Sequence, residues 1–492
     1  QRYPNRGVPN APVIDYCENL GKRRVRFARK LLTLKRQTGN CIPRVSLPPR
    51  PPAGVNNWMI RPDNSPCANV DRSKTVAVAG CLFVMSVCVD ACWAGDWPGW
   101  LGPQRNGRSS ETIAAWKAEP QTVWKQPVGN GYSSPIAWEG LVFVHSAVKG
   151  QDSELVQAFD AVTGKRVWDD TYSRETYRSE LGTGPRATPT VHNGRLYTMG
   201  ITGILSCYDA KTGNRIWRVN PYSELNASRP GFGVCSSPLV VADRVVLPVG
   251  GAGSGVVAYH AETGELAWKA CDEPAAAASP VMVSRPNAGG EGTRVEVVVQ
   301  TTLRLLGMNP SDGTIYWEHP LVFQPSGVSP TPLAAGNLLV CSTQDTGTLT
   351  LRLPTDATSQ PELTWWKQDI ASYFSTGTIR PDGVAYIVTN ALAPLPKANL
   401  QAIDVRTGSL LWEQNGLGYF HLGPILLSDG KLLILDDAGN VVLAEAGREG
   451  FKQLAKAKVC GGTFCNPALA GGKVFVRDQT HLSCIDLVQR DQ

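Results

Sequence analysis

The chain has 492 residues, 18% of them charged and 42% hydrophobic, a balance that fits a folded protein with a large core and excludes a disordered polyelectrolyte. Its formal net charge of +6 is unevenly placed: residues 1–74 carry 15 Lys/Arg against 4 Asp/Glu, and the rest of the chain carries a net −5. A nucleic-acid binder keeps its positive charge on the folded domain, so the mildly acidic body argues against that function.

Residues 1–70 combine a basic run (Lys22, Arg23, Arg24, Arg26, Arg29, Lys30, Lys35, Arg36) with prolines at 43, 48, 49, 51 and 52. They show no sustained apolar periodicity, and the expectation is a disordered, basic extension. Arg72 and Lys74 then precede an apolar run from Thr75 to Val89, closed by Cys92-Trp93-Ala94 before Gly95. A charged start, an apolar stretch and a small-residue cleavage site make residues 71–94 a secretory signal peptide. Its internal position implies a translation start at Val70 or Met59, with mis-assigned sequence upstream. The run is too short for a transmembrane span. Val78-Ala79-Gly80-Cys81 and Val89-Asp90-Ala91-Cys92 resemble lipoprotein cleavage motifs, so a lipid anchor is the alternative to simple export. Residues 95–122 form a lead-in to the repeats.

One segment recurs through the rest of the chain. Ala158-Phe-Asp160-Ala-Val-Thr163-Gly164 with Trp168 returns as Cys207-Tyr-Asp209-Ala-Lys-Thr212-Gly213 with Trp217. It returns again around Gly264 with Trp268, Gly313 with Trp317 and Gly408 with Trp412, and a copy lacking the Thr-Gly turn falls at Trp365 or Trp366. Upstream of each copy sits a Ser/Thr-Pro step followed by a Gly-containing hairpin, as in Ser134-Pro135 with Glu139-Gly140. Units begin near Pro135, Pro189, Pro238, Pro280, Pro330, Thr376, Pro424 and Pro467, about 47 residues apart. Each reads as four antiparallel strands, which at this period is a propeller blade. Gly in the Thr-Gly turn supplies a positive φ, the Asp bonds the turn's backbone, and the Trp fills the wedge between blades. Small residues at 158, 207, 258, 307 and 402 suit close sheet packing. His260 takes the Asp position of its repeat and is expected to serve that turn. The last unit lacks a fourth strand, and Val123-Trp124-Lys125 is expected to supply it. The fold expected over 123–492 is all-β: an eight-bladed β-propeller of four-stranded antiparallel blades, ring-closed by an N-terminal strand near Trp124.

The Ala-x-Asp-x-x-Thr-Gly-x-x-x-Trp repeat resembles that of the PQQ-like (quinoprotein alcohol dehydrogenase-like) propellers, and Trp97-Pro-Gly-Trp100-Leu-Gly102-Pro103-Gln-Arg-Asn-Gly107 resembles the opening of secreted bacterial members. The resemblance covers about residues 95–490. It implies the fold but not one function, since the superfamily holds dehydrogenases, envelope-assembly scaffolds and kinase sensor domains. The dehydrogenases carry an adjacent Cys-Cys disulfide against PQQ and a calcium held by carboxylates and amides. None of the 13 Cys here are adjacent, and no calcium set or catalytic Asp maps onto the chain. No cofactor is therefore expected, and PQQ with calcium belongs only to an alternative oxidoreductase reading.

Other chemistry is equally unsupported. The six His (145, 192, 260, 319, 421, 481) have no metal-ligand spacing, and no phosphate loop, nucleophile elbow or kinase loop occurs. No catalytic residue and no metal ligand is assigned. Cys207 and Cys484 fall at the small position of the repeat and read as buried fillers. Cys460 and Cys465 are a candidate disulfide in an exported protein.

Loop length carries the functional reading. Connections between blades and the second-to-third-strand turns share one face, which receives the long loops 146–154, 169–186, 218–234 and 390–398; the other face receives mainly 284–293 and 354–362. The candidate binding face is Arg174, Tyr177, Arg178, Arg186, Tyr222, Arg229 and Phe232, because arginines and aromatics on long loops are the usual interface anchors. The expected protein is an exported, non-catalytic monomer of the bacterial periplasm or cell envelope that binds an envelope or secreted protein, or a small ligand.

Overall fold

Short apolar strands punctuated by Gly turns assemble here into eight separate four-stranded antiparallel sheets, seven of them built from strands consecutive in sequence. The computed structural model describes residues 95–179, 182–286, 292–321, 330–356, 359–391 and 397–487. The disordered extension and signal peptide expected over 1–94 lie outside them, as do parts of the loops 169–186, 284–293, 354–362 and 390–398. Blade 1 runs from the strand Ile136–Trp138 to Arg166–Ser173, and blades 2 to 7 follow in order. Blade 8 has three strands from the end of the chain, Ala468–Ala470, Lys473–Arg477 and His481–Asp486, and takes its fourth, β1 (Gln121–Pro127), from the start. Trp124 sits opposite Cys484 in that pairing, so the ring closes as the spacing of Trp124 anticipated. The one short α-helix among the described residues, α1 (Pro221–Glu224), is capped by Asn220, and no helix there is long and apolar enough to cross a membrane.

The first hairpin of a blade and the Thr-Gly turn are fixed by local chemistry. Glu139-Gly140 and Asn193-Gly194 hold φ of 43° and 78°, and 48° and 71°, the pair of positive values that a two-residue hairpin needs. In the Thr-Gly turn the Asp160 carboxylate accepts from the N–H groups of Val162 and Thr163 and from the Thr163 hydroxyl. Asp209 repeats the arrangement. These hydrogen bonds hold both carboxyls below their ordinary range. His260 departs from the pattern. Its backbone carbonyl receives Gly264 N–H as the turn demands, but its imidazole bonds Arg244 instead of the turn.

The recurring Trp joins neighbouring blades. The indole N–H of Trp168 donates to Ala210 O in the next blade at 2.9 Å, and its ring lies over Gly213 of that blade's turn. Trp124 on Ala161 and Gly164, Trp217 on Ala261 and Gly264, and Trp365 on Val405 and Gly408 do the same. Trp365, not the half-exposed Trp366, is thus the copy in the fifth blade. A Cβ at position 213 would come within 2.5 Å of the Trp168 ring, so Gly serves the contact as well as the positive φ. The small residues of the repeat have a related reason: Ala158, Cys207, Ala258, Gly307 and Ala402 are the cross-strand partners of a Trp. Where blade 5 lacks the Thr-Gly turn, Trp317 donates instead to the buried Glu296 of its own blade, which Arg285 and Arg294 neutralise.

Around the axis, the Ser/Thr of the Ser/Thr-Pro step forms a girdle. The N–H of Ser134 donates to the Thr188 hydroxyl, Thr188 N–H to Ser237, Ser237 N–H to Ser279, Ser279 N–H to Thr331 and Thr331 N–H to Thr376. Asn466 N–H donates to Ser134; the chain of bonds is interrupted at Gly423, which offers Thr376 no side chain and does not donate to the buried Asn466 Oδ1. Proline cannot donate, so the residue before it carries the link. The lead-in crosses one end of this axis. Trp97 pairs with Ala137, Arg105 donates to Ser237 O and Pro238 O, the Trp100 indole donates to Thr331, and Glu111 accepts from Gly472 N–H. Arg105 is buried, and burial pulls its pKa down to about 9. The segment Trp97–Gly107 is therefore a plug.

Two measurements test this architecture. Gly213→Ala, forced against the Trp168 ring, is expected to cost about 1–3 kcal/mol in denaturant unfolding, whereas Gly150→Ala, which meets no atom within 4 Å, should cost less. Deleting residues 120–127 should abolish the single cooperative thermal transition of the whole ring, followed by circular dichroism; a deletion that melts unchanged would contradict closure by β1.

Candidate partner-binding face

The face opposite the plug carries the interblade loops, and it holds all seven predicted residues, but not as one exposed set. Arg174 and Tyr222 are buried. Arg174 donates to Glu175 O and Thr183 O and lies 3.5 Å from the Glu154 carboxylate, while Tyr222 packs against Gly203. Glu154 is itself fully buried, accepting from Tyr172 at 2.5 Å and from Ile201 N–H at 2.9 Å, with His145 at 3.3 Å. Burial pushes its carboxyl up, but His145, Tyr172 and the Ile201 N–H outweigh that and hold it below the ordinary value. Arg174 thus belongs to an internal network that ties blade 1 to blade 2.

The other predicted residues link two long loops at the surface. Arg229 pairs with Glu175 at 2.7 Å, the Tyr177 hydroxyl reaches Gly231 O, and Arg178 pairs with Asp152 at 2.7 Å. The Arg178 and Thr176 hydrogen bonds pull the Asp152 carboxyl down to about 2. Phe232 is half-buried beside them. Arg186 turns toward the axis, its guanidinium 5.4 Å from the centre of the Tyr132 ring. The candidate disulfide is corrected: Cys460 and Cys465 are free and buried. Cys465 Sγ faces Ser133 O, and burial raises both thiols, that of Cys460 to about 12. Cys207 and Cys484, pushed up to about 12 by burial as well, are the fillers expected.

Tyr132 opens a set of residues that the sequence reading missed. The residue two places before each Ser/Thr-Pro step, or its counterpart, is Tyr132, Arg186, Cys235, Ala277, Phe374, His421 and Phe464 in the blades where it is described, and all of these but Cys235 and Ala277 are joined by ring contacts at the axial mouth. Four of them form one aromatic cluster. Phe374 stacks on His421 at 5.5 Å, Phe464 meets Phe374 at 5.9 Å and Tyr132 at 5.7 Å. A contact between blades 6 and 8 shows how narrow the ring is there. His421 is held by the Ser375 hydroxyl, and burial lowers its pKa to about 4, so it is neutral near pH 7. Asp437 accepts from the N–H groups of Tyr419, Phe420 and His421 and fixes that loop, leaving Tyr419 68% exposed. The buried Arg477 donates to Gly129 O and His145 O, and Pro185 O accepts from Tyr132 N–H, which places Tyr132 beside Arg186. The position relative to the Ser/Thr-Pro step was the signal that could have revealed this set.

Two clefts of about 680 and 540 Å³ lie on the plugged face beside Gly95 and Asp96. The larger is bordered by Arg380, which is already engaged by Asp382, Gly430 O and Ala446 O. Among the described residues no three His, Cys, Asp or Glu side chains are grouped as metal ligands would be.

Ring closure, the Trp contacts and the axial girdle define an eight-bladed propeller of PQQ-like repeats. The chain belongs to the family described as outer membrane protein assembly factor BamB, whose model matches residues 151–414 and 396–491. No curated protein matches it in sequence. Similar solved structures include BamB from Moraxella catarrhalis (14% identity, TM-score 0.52, 75% of this chain and 99% of that one). They also include a quinohemoprotein alcohol dehydrogenase from Comamonas testosteroni (15%, 0.56, 81% of each) and a europium-containing methanol dehydrogenase (14%, 0.55, 78% and 89%). At these identities the likeness is one of fold.

The two kinds of arginine should separate by stability. Arg174→Ala strips a buried carboxylate of its cation and is expected to cost about 3 kcal/mol, against less than about 0.5 kcal/mol for the exposed Arg178→Ala, read by urea unfolding. Asp152, depressed in the folded state to about 2 from 3.8, contributes fully above pH 4 and loses its contribution as pH falls toward 2. Hydrogen exchange in residues 174–179 should therefore rise across that window, and Asp152→Asn should remove the step.

Proposed function

We propose that the protein is an exported, non-catalytic, monomeric propeller that holds a protein partner at the bacterial cell envelope through the face bearing the interblade loops. The observation that carries this reading is the half-buried cluster of Tyr132, Phe374 and Phe464 at the axial mouth, with Tyr419 exposed in the loop next to it and Arg186 over the Tyr132 ring. Aromatic and Arg side chains on a rigid support are what a partner-binding centre is made of. Membership of a family described as an outer membrane assembly factor supports the envelope setting, as does the signal peptide read at residues 71–94.

The alternative, a PQQ-dependent oxidoreductase, draws support from the fold of the dehydrogenases. The side chains do not fit it. A planar cofactor needs a free slot, yet at the mouth the Phe374 and His421 rings already stack with 6° between their planes, and from the other end Trp100 and Arg105 reach the girdle. The adjacent Cys pair of the dehydrogenases is missing from the sequence.

Photocrosslinking in the producing cell tests the choice. A crosslinker at position 419 should give an adduct of one defined mass, and one at position 108 on the plugged face should not. Equal yields from both faces, or a redox chromophore bound after adding PQQ and Ca²⁺, would overturn the scaffold reading.

A further inference from the structure

The arginines of the loop face differ in one respect that matters for binding. Arg174, Arg178 and Arg229 are each matched by a carboxylate, on Glu154, Asp152 and Glu175. Arg186 has no carboxylate partner among the described residues. A guanidinium has five N–H donors, and among the described residues the acceptor within reach is Gly182 O at 3.5 Å, while the buried Nε has no partner there. Its surroundings are apolar or neutral: the Tyr132 ring beneath it and the Cys235 thiol, which burial keeps protonated. It is held where it stands because Pro185 O receives the N–H groups of both Tyr132 and Ser133. A Cβ at Gly184 would meet Asn130 O at 2.2 Å, so the two loops can approach this closely only with Gly there.

We infer that the axial mouth recognises an extended, acidic segment of a protein partner, with Arg186 taking a Glu or Asp carboxylate and the neighbouring Phe464 and Phe374 rings taking an adjacent apolar side chain. This rests on the scaffold reading above and names the partner's chemistry. A guanidinium with spare donors, set on an aromatic face with no carboxylate against it among the described residues, is matched by a carboxylate through paired N–H···O bonds. The half-buried rings beside it offer a surface that an aromatic or aliphatic residue can cover. The aromatic rings of the mouth come from blades 6, 7, 8 and 1, and Arg186 of blade 2 lies at their edge against Tyr132.

The test uses the folded chain and two fluorescein-labelled decapeptides, one alternating Glu and Phe and the other alternating Gln and Phe, measured by anisotropy at 50 and 300 mM salt. The Glu peptide should bind at least tenfold more tightly at low salt, with the advantage falling at high salt. Arg186→Gln should erase the difference between the peptides, Arg186→Lys should keep part of it, and Phe464→Ala should weaken both. Arg108→Gln, on the plugged face, should change neither. Equal binding of the two peptides by the unmodified protein would overturn the acidic preference while leaving a docking face in place. Binding of neither peptide would overturn the inference outright, and the crosslinking result at position 419 decides the scaffold reading separately. Displacement of the Glu peptide by free glutarate at the same concentration as by unlabelled peptide would overturn the claim that a peptide segment is what the site reads.

Discussion

The contact between each outer-strand Trp and the turn of the next blade is the interaction on which this molecule rests. A four-stranded blade has two apolar faces and cannot bury either alone, so stability comes from pressing neighbours together around a ring. The Trp does this with both of its properties at once: the ring covers the flat backbone of Gly164, Gly213, Gly264 or Gly408, and the indole N–H satisfies a carbonyl that would otherwise be left in the seam. The exception supports the same logic. With no Thr-Gly turn to receive it, Trp317 satisfies its N–H on Glu296, and two arginines are needed to make that buried carboxylate tolerable.

Once the ring is closed, the axis becomes a place where residues hundreds of positions apart must meet. The Ser and Thr hydroxyls before the prolines link into a girdle, because each blade brings the same backbone group to the same height. Two residues earlier the side chains leave the girdle and gather at the mouth, where Tyr132, Phe374, His421 and Phe464 pack on one another. The lead-in fills the opposite end with Trp100 and Arg105. With the axis closed from one side, the long loops stand on the other.

Much of the fold was legible because the repeat is local chemistry. Asp160-x-x-Thr163-Gly164 closes a turn by itself, and a Trp spacing near 49 counts the blades. The missing strand of blade 8 was legible for the same reason, since Trp124 precedes Trp168 by one period. The small residues opposite each Trp were visible, but their reason, a cross-strand partner too large to share space with a branched side chain, was not. The site was legible in less detail. The long loops rich in Arg and Tyr could be named from the sequence, yet Arg174 and Tyr222 turn inward. In sequence, Arg174 and Arg178 are equivalent; only the position of Glu154 on a neighbouring strand makes the first an internal cation and leaves the second at the surface. Cys460 and Cys465 looked like a pair by spacing, yet both are buried as free thiols.

What the sequence determined on its own is the unit: four strands, two Gly-dependent turns, a Trp, and the number of times they occur. These follow from hydrogen bonds and steric limits acting within a few residues, and the repeat makes them readable. What only the tertiary structure decided is which side chains are free. Arg186 and Tyr132 lie 54 positions apart, and Arg477 reaches the carbonyl of His145 across 332. Burial and charge pairing are set by such distant neighbours, so the difference between Arg186 and the carboxylate-paired Arg174, Arg178 and Arg229 could be picked out only after the ring had closed.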